Sequence, residues 1–173
     1  MNNTFTKGFS LIEVLITLVL ICIGVLGMVA MQGRTIQYTQ DSVQRNTAAV
    51  LANDLIELMR AMPNGLPAAS DFYKSKSEDF PTATDDECQA SPSTAEKQLA
   101  CWAKKLDLSL PDASSLANEM YVCRSKTENS CTGDGSAVEI QIAWRVKKGE
   151  CMEANLATDA DKTICHYRLR SQI

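Results

Sequence analysis

The chain has 173 residues, a formal net charge of −4 and a pI of about 5.0, which suits one ordinary domain plus an additional element. An acidic chain has no broad basic surface to hold a phosphate backbone, so we expect no direct binding of nucleic acid. Seven cysteines and a single histidine favour disulfide bonds formed in an oxidising compartment over a metal site.

The longest apolar stretch lies near the N-terminus, from Leu11 to Met31, and Glu13 and Thr17 are its only clearly polar residues. As a helix it is long enough to cross a hydrocarbon core of roughly 30 Å. A secretory signal peptide would have a shorter apolar core, of about 7–15 residues, before a cleavage site of small residues. We therefore expect a retained membrane-spanning helix, in which Cys22 is an inert apolar residue.

An amphipathic helix follows this stretch and continues to the turn-forming sequence Pro-Asn-Gly at 63–65. Its apolar residues recur at spacings of three, four and seven, which is typical of a helix packed on one face. These residues are Val43, Ala48, Leu51, Leu55, Leu58, Met59 and Met62. We interpret Gly24, Gly27 and Gly33 as points where the long helix bends or packs closely.

Residues 64–118 have the composition of a loop region, with several prolines and an acidic run at 85–87. Ser93 and Glu96 have the spacing of a capping box, which predicts the start of a short helix. Its apolar positions follow at helical spacing and are Leu99, Trp102, Ala103 and Leu106. We expect Trp102 to point inward and the helix to end before Pro111.

Residues 119–173 have the pattern of an antiparallel sheet of three strands. The predicted strands are Glu119–Arg124, Val138–Val146, in which apolar residues alternate strictly, and Thr163–Arg170. Three successive strands predict a meander, and its apolar face requires a cover. We expect the amphipathic helix to supply that cover. The predicted fold class is therefore α+β, with a long N-terminal helix packed on an antiparallel sheet.

Six cysteines follow the apolar stretch and permit fifteen pairings, among which the sequence alone does not choose. They are Cys88, Cys101, Cys123, Cys131, Cys151 and Cys165. Proximity along the chain favours pairing between neighbours, which is Cys88 with Cys101, Cys123 with Cys131 and Cys151 with Cys165. The sequence has no C-x-x-C motif, so we interpret these cysteines as structural disulfides and not as redox-active groups or zinc ligands.

No other cluster of residues has the pattern of a catalytic or metal site. Glu153, Asn155, Asp159 and Asp161 offer oxygen ligands, but they lack the order of a calcium-binding loop, so we interpret them as a solvated acidic loop. His166 is interpreted as a structural or surface histidine. The Gly-Asp-Gly sequence at 133–135 is a turn, because no Lys-Ser/Thr follows it to form a phosphate-binding loop. We therefore expect no enzymatic activity, no metal and no cofactor.

Residues 7–16, Lys-Gly-Phe-Ser-Leu-Ile-Glu-Val-Leu-Ile, resemble the signal of type IV pilins and of type II secretion pseudopilins. A short polar leader ends at Gly8, an aromatic residue follows, and a carboxylate occupies the fifth position after the glycine. The resemblance implies cleavage between Gly8 and Phe9 by a prepilin peptidase, and N-methylation of Phe9. It also implies an assembly role for Glu13, whose carboxylate is costly in a bilayer. Once subunits stack, it can pair with the amino group freed on Phe9 and set the register.

The longer stretch at 8–63 looks most like the minor pilins called PilV, or type IV pilus modification proteins. That resemblance implies a bacterial inner-membrane protein with a periplasmic head before assembly, which then joins other minor and major pilins in the pilus. Many major pilins carry a proline in the N-terminal helix, whereas the first proline here is Pro63. This departure fits a low-copy subunit that initiates or caps a filament serving motility, adhesion or DNA uptake.

The resemblance divides the chain into five segments. They are a leader at 1–8, a transmembrane assembly helix at 9–31, an amphipathic half-helix at 32–63, a loop region at 64–118 and the sheet at 119–173. Two alternatives stay open from the sequence. One is a minor pseudopilin of a type II secretion system, which shares the signal and the fold. The other is a single-span periplasmic receptor, which would keep an uncleaved N-terminus.

Overall fold

The computed structural model describes residues 8–62, 70–90, 92–148, 150–151 and 162–172, and contacts divide the chain after Gln40 into two units. Helix α1 spans Leu11–Arg60 and belongs to both units. The second unit, called the head below, also contains α2 at Asp85–Gln89, α3 at Ala95–Ser109 and a 3₁₀ helix at Ser114–Glu119. Its strands are β1 at Tyr121–Ser125, β2 at Ala137–Arg145 and β3 at Ile164–Gln172.

The first unit is helical from Leu11 onward, and every side chain described between Gly8 and Gln40 is exposed. A Cβ atom placed on Gly24, Gly27 or Gly33 would meet no atom within 4 Å. These glycines therefore do not pack closely within the chain, and α1 runs through all three positions without interruption.

The head is built around the amphipathic half of α1. Ala48, Leu51, Leu55 and Met59 are buried, as their helical spacing predicts, and Leu58 and Met62 are partly buried. The prediction was wrong for Val43, which is exposed. Residues 41 and 43 lie about 200° apart around a helix, and the buried Asp41 shows that position 41 faces the core.

The sheet is an antiparallel meander with strand order β1-β2-β3, which confirms the predicted α+β fold class. Val122, Ile140 and Leu169 lie side by side in neighbouring strands and belong to the same hydrophobic core as α1. Two buried tryptophans attach the core to the helix. Trp144 Nε1 donates to Gln44 Oε1 at 2.9 Å, and Trp102 Nε1 donates to the Leu51 carbonyl at 2.8 Å.

Capping interactions in the middle of the chain differ from the prediction. Helix α3 begins one residue later than expected, because Thr94 and not Ser93 is its N-cap and accepts from the Lys97 amide. The acidic run at 85–87, predicted as loop, forms α2. A capping box between Thr84 and Glu87 starts this helix, and carboxylates in a first turn are stabilised by the unpaired amides there. The end of α3 at Ser109, before Pro111, agrees with the prediction.

The strand boundaries are shifted by up to two residues. The 3₁₀ helix occupies residues up to Glu119, so β1 begins at Tyr121 and not at Glu119. Strand β2 begins one residue earlier and ends one residue earlier than predicted, and β3 continues to Gln172. All three shifts preserve the alternation of side chains, so the face assignment of the apolar residues is unaffected.

Three disulfides connect the elements of the head, and each joins cysteines that are neighbours in the sequence. Cys88–Cys101 links α2 to α3, Cys123–Cys131 closes the connection that follows β1, and Cys151–Cys165 ties the β2–β3 connection to β3. Each pair has a Cα–Cα distance of 5.5 Å, within the usual range for a disulfide. The predicted acidic loop with Glu153, Asn155, Asp159 and Asp161 lies outside the described residues.

Candidate functional site

The N-terminal candidate site begins with three non-helical residues, Gly8, Phe9 and Ser10. The Phe9 side chain is 84% exposed. The carbonyl of Ser10 accepts from the amides of Glu13 at 3.0 Å and Val14 at 3.3 Å, which starts α1. The peptide bond between Gly8 and Phe9 therefore lies just outside the regular helix, next to the exposed Phe9 side chain.

Glu13 occupies the first turn of α1 and its side chain is exposed. The unpaired amides of a first helical turn carry partial positive charge, which stabilises a carboxylate at this position. Within the described part of the chain, no basic side chain lies within 4.0 Å of Glu13. Its carboxylate is therefore available for an ionic partner outside the described residues.

Apart from Thr17, the side chains that follow Glu13 along the helix form an exposed apolar surface. Its exposed side chains include Leu15, Leu18, Ile21, Val25 and Met28. The helix contains a window long and apolar enough to cross a membrane, and none of that window is buried. Exposed apolar surface on this scale indicates contact with lipid or with other proteins.

The head contains a polar face that the sequence analysis missed. Tyr121, Gln141 and Arg168 lie side by side across the sheet, on the face opposite to Ile140. Glu139 and Gln141 are only 2% exposed, although strict alternation in β2 predicts polar residues that face water. The available signal was the run of polar side chains at alternate positions on both β2 and β3.

Hydrogen bonds satisfy the buried carboxylate on this face. Glu139 accepts from the Tyr121 hydroxyl at 2.6 Å, from Ser125 Oγ at 3.2 Å and from the Asn129 amide at 3.0 and 3.1 Å. Burial raises the pKa of Tyr121, and its hydrogen bond to Glu139 raises that pKa further. The network fastens the loop after β1 onto the sheet, because Asn129 belongs to that loop.

The remaining candidates do not form a catalytic arrangement. His166 is 1% exposed on β3, with Nε2 3.7 Å from Glu119 Oε2, and the adjacent Cys165 offers no free thiol because it is disulfide-bonded to Cys151. Lys74 is 3% exposed, and its Nζ donates to the carbonyls of Ala117 at 2.7 Å and Met120 at 3.0 Å, which is a structural arrangement. Among the described residues, no group of three or more His, Cys, Asp or Glu side chains could hold a metal ion.

Comparison with known families covers the N-terminal site and part of the head. Residues 5–29 match the family described as prokaryotic N-terminal methylation motif, which includes Gly8, Phe9 and Glu13. Residues 30–104 match the family described as type IV pilin Tt1218. The chain is a type IV pilin-like protein. Curated proteins and solved structures gave no match.

Type IV pilins are structural subunits, so these matches support a structural role for the chain. The methylation motif implies processing by a prepilin peptidase and assembly with other pilins. The apolar N-terminal half of α1 fits a pilin that is anchored in the inner membrane and later enters a filament.

Proposed function

We propose that this pilin is a minor subunit of a type IV pilus, present in few copies, that helps to initiate or cap the filament. Prepilin peptidase cleaves it between Gly8 and Phe9, and Phe9 is then N-methylated. The observation that carries the proposal is the position of Glu13. It is an exposed carboxylate in the first helical turn, five positions after Gly8 and surrounded by exposed apolar side chains.

The chemistry of this position supports an assembly role. A carboxylate inside a bilayer costs about 2.5–3.5 kcal/mol on insertion scales, so its retention indicates a function. The amino group that cleavage frees on Phe9 supplies a cation one helical turn away along the chain. In a bundle of subunits, Glu13 can pair with that amino group in its own chain or in a neighbour, and a misregistered subunit would leave a buried charge unpaired.

The minor role rests on the helix and on the head. α1 contains no proline and runs without a break for 50 residues. A helix without such a break is a departure from many major pilins, whose N-terminal helix carries a proline. The three disulfides give the head a rigid, loop-rich surface suited to contacts with a small number of specific neighbours.

Substitution of Glu13 by leucine tests the assembly mechanism. We expect Glu13→Leu to be processed at Gly8 like the wild type and to be absent from sheared filaments. Thr17→Leu is the matched control, since it removes the next polar residue of the helix, whose hydroxyl is already bonded to the Val14 carbonyl at 2.9 Å. Normal amounts of Glu13→Leu in sheared filaments would contradict the proposal.

Quantitative mass spectrometry of sheared filaments from the native host tests the minor role. We expect this chain at a small fraction of the principal pilin. A second arm measures protein secretion in a strain that lacks this chain. Loss of secretion with intact pili would assign the protein to a type II secretion pseudopilus instead, and stoichiometric abundance in the filament would make it a major subunit.

A further inference from the structure

The polar face of the sheet carries a pocket of about 410 Å³ that pilus assembly through α1 does not use. Its walls come from four parts of the head, which are the segment at 75–77, β1, the β1–β2 connection and β3. The lining residues are Ser75, Lys76, Ser77, Tyr121, Asn129, Cys131 and Arg168. The volume lies in the range of small-molecule sites in proteins. Apart from the aromatic ring of Tyr121 and the disulfide sulfur of Cys131, these walls offer hydroxyl, amide and cationic groups.

Arg168 is the central group of this pocket. Its Nε donates to Gln141 Oε1 and its Nη1 donates to Asn129 Oδ1, so two neutral amide oxygens fix the guanidinium in place. Within the described part of the chain, Arg168 has no carboxylate partner within 4.0 Å. A half-buried guanidinium that is oriented without an ion pair is prepared to receive an anion.

The charged side chains that line the pocket are both cationic, Lys76 and Arg168. The carboxylates of Glu78, Glu119 and Glu139 lie beside the pocket and do not line it. Lys76 Nζ is 4.0 Å from Glu119 Oε2, and Glu139 is engaged by the hydrogen bonds described above. Glu78 Oε2 accepts from the Ser75 amide at 2.9 Å, so each of these carboxylates already has a partner, and a carboxylate ligand can pair with the guanidinium of Arg168.

The wall that carries Asn129 is held rigidly. Asn129 adopts a left-handed backbone conformation with φ of 63°, which asparagine tolerates better than most residues. Its amide is bonded to Glu139, and the Cys123–Cys131 disulfide closes the loop around it. A preformed wall lowers the entropic cost of binding.

We propose that this pocket binds a sugar acid of the hexuronate type, either free or as a residue of an acidic polysaccharide. The carboxylate pairs with Arg168 and is approached by Lys76. The sugar hydroxyls bond to the Ser75 and Ser77 hydroxyls and to the side-chain amide of Asn129. The head would then contribute a binding function to the filament, and this function does not depend on the minor role proposed above.

Calorimetric titration of the full-length protein in detergent micelles tests the proposal, with galacturonate and galactose as the paired probes. The two sugars share the same ring configuration, and only galacturonate carries a carboxylate. We expect galacturonate to bind and galactose to bind at least about tenfold more weakly. Oligogalacturonate distinguishes the two sources, since tighter binding per sugar residue than the monomer indicates a polysaccharide ligand and equal binding indicates the free sugar.

Two pairs of variants locate the site. Arg168→Gln should weaken galacturonate binding by at least about tenfold, whereas Arg170→Gln should leave it within about twofold. Arg170 is the control because it projects from the same face of β3 but donates to the Ser125 and Lys126 carbonyls outside the pocket. Lys76→Gln changes an exposed side chain without disturbing the fold, and it should weaken binding severalfold.

Near-UV circular dichroism of each variant checks that the head is folded. Equal binding of galactose and galacturonate would overturn the proposal. So would wild-type affinity in both Arg168→Gln and Lys76→Gln. If Arg168→Gln fails to fold, the galacturonate affinity of Lys76→Gln alone tests the proposal, and wild-type affinity in that variant would overturn it.

Discussion

The hydrogen bond between the Trp144 indole and the Gln44 side chain should contribute measurably to the docking of α1 on the sheet. Trp144 has no exposed surface, and its Nε1 lies 2.9 Å from Gln44 Oε1. Trp144→Phe removes the donor and part of the ring volume. A net hydrogen bond is worth about 1 kcal/mol, and a small cavity adds about 1 kcal/mol, so we expect a loss of about 2 kcal/mol. For a head of this size, that loss lowers Tm by roughly 8 °C.

A double-mutant cycle separates the hydrogen bond from the packing. Gln44→Leu removes the acceptor and leaves the indole N–H without a partner. We expect Gln44→Leu and Trp144→Phe to couple by about 1 kcal/mol in urea unfolding of the detergent-solubilised protein, followed by fluorescence. Trp102→Phe is the matched control, since the Trp102 indole donates to a backbone carbonyl and not to Gln44. Coupling below about 0.3 kcal/mol in the Trp144 cycle, equal to that in the control cycle, would show that this hydrogen bond does not stabilise the docking of α1.

Three further predictions concern the head. Gly135→Ala should destabilise the head by about 2 kcal/mol or more, because Gly135 has φ of 126° and a Cβ would overlap the end of β1. Gly133→Ala is the control and should cost only about 1 kcal/mol, because Gly133 has φ of 74° and open space around it. Equal losses of unfolding free energy in denaturant would contradict this prediction. Burial lowers the pKa of Lys74 from 10.5 to about 8, so the unfolded chain binds more protons between those values. The stability of the wild type relative to Lys74→Met should therefore increase as the pH rises from 8 to 10, and a flat or falling difference in unfolding free energy would be the contrary result. Replacing Cys88 and Cys101 together by alanine should cost about 2–4 kcal/mol in the same assay, and an unchanged midpoint would show that this disulfide does not constrain the unfolded chain.

The parts of the fold that were predictable are those where burial follows a simple period. Leu51, Leu55 and Met59 recur at helical spacing, and each is buried in the core. Ile140 and Ile142 alternate along β2 and are likewise buried. These patterns can be recognised in the sequence because one face of each helix or strand packs on a neighbouring element. Burial of that face requires apolar side chains at the helical or strand spacing, and this requirement does not depend on which element is the neighbour.

The polar face of the sheet was not predictable by the same argument. Glu139 and Gln141 have the alternation of water-facing residues, but distant segments cover them. The sequence also did not distinguish Ser93 from Thr94 as the N-cap of α3, because both are hydroxyl residues that satisfy the local rule.

The two candidate sites differ in whether their residues are contiguous in the sequence. The residues at 8–13 are contiguous, so their spacing alone identifies the methylation motif. The pocket around Arg168 combines residues 75–77 with two residues of the β1–β2 connection, Asn129 and Cys131, and with one residue from each of two strands, Tyr121 and Arg168. Their proximity depends on strand register and on a loop folded back over the sheet, and neither leaves a local pattern.

Intact mass measurement with N-terminal sequencing of the protein from membranes of its native host tests whether the chain is processed as a prepilin. We expect a chain that begins at Phe9 with an N-methyl group, because prepilin peptidase has removed the leader ending at Gly8. A chain that still begins at Met1 in cells that contain the peptidase would contradict the account, and Glu13 would then require a different explanation.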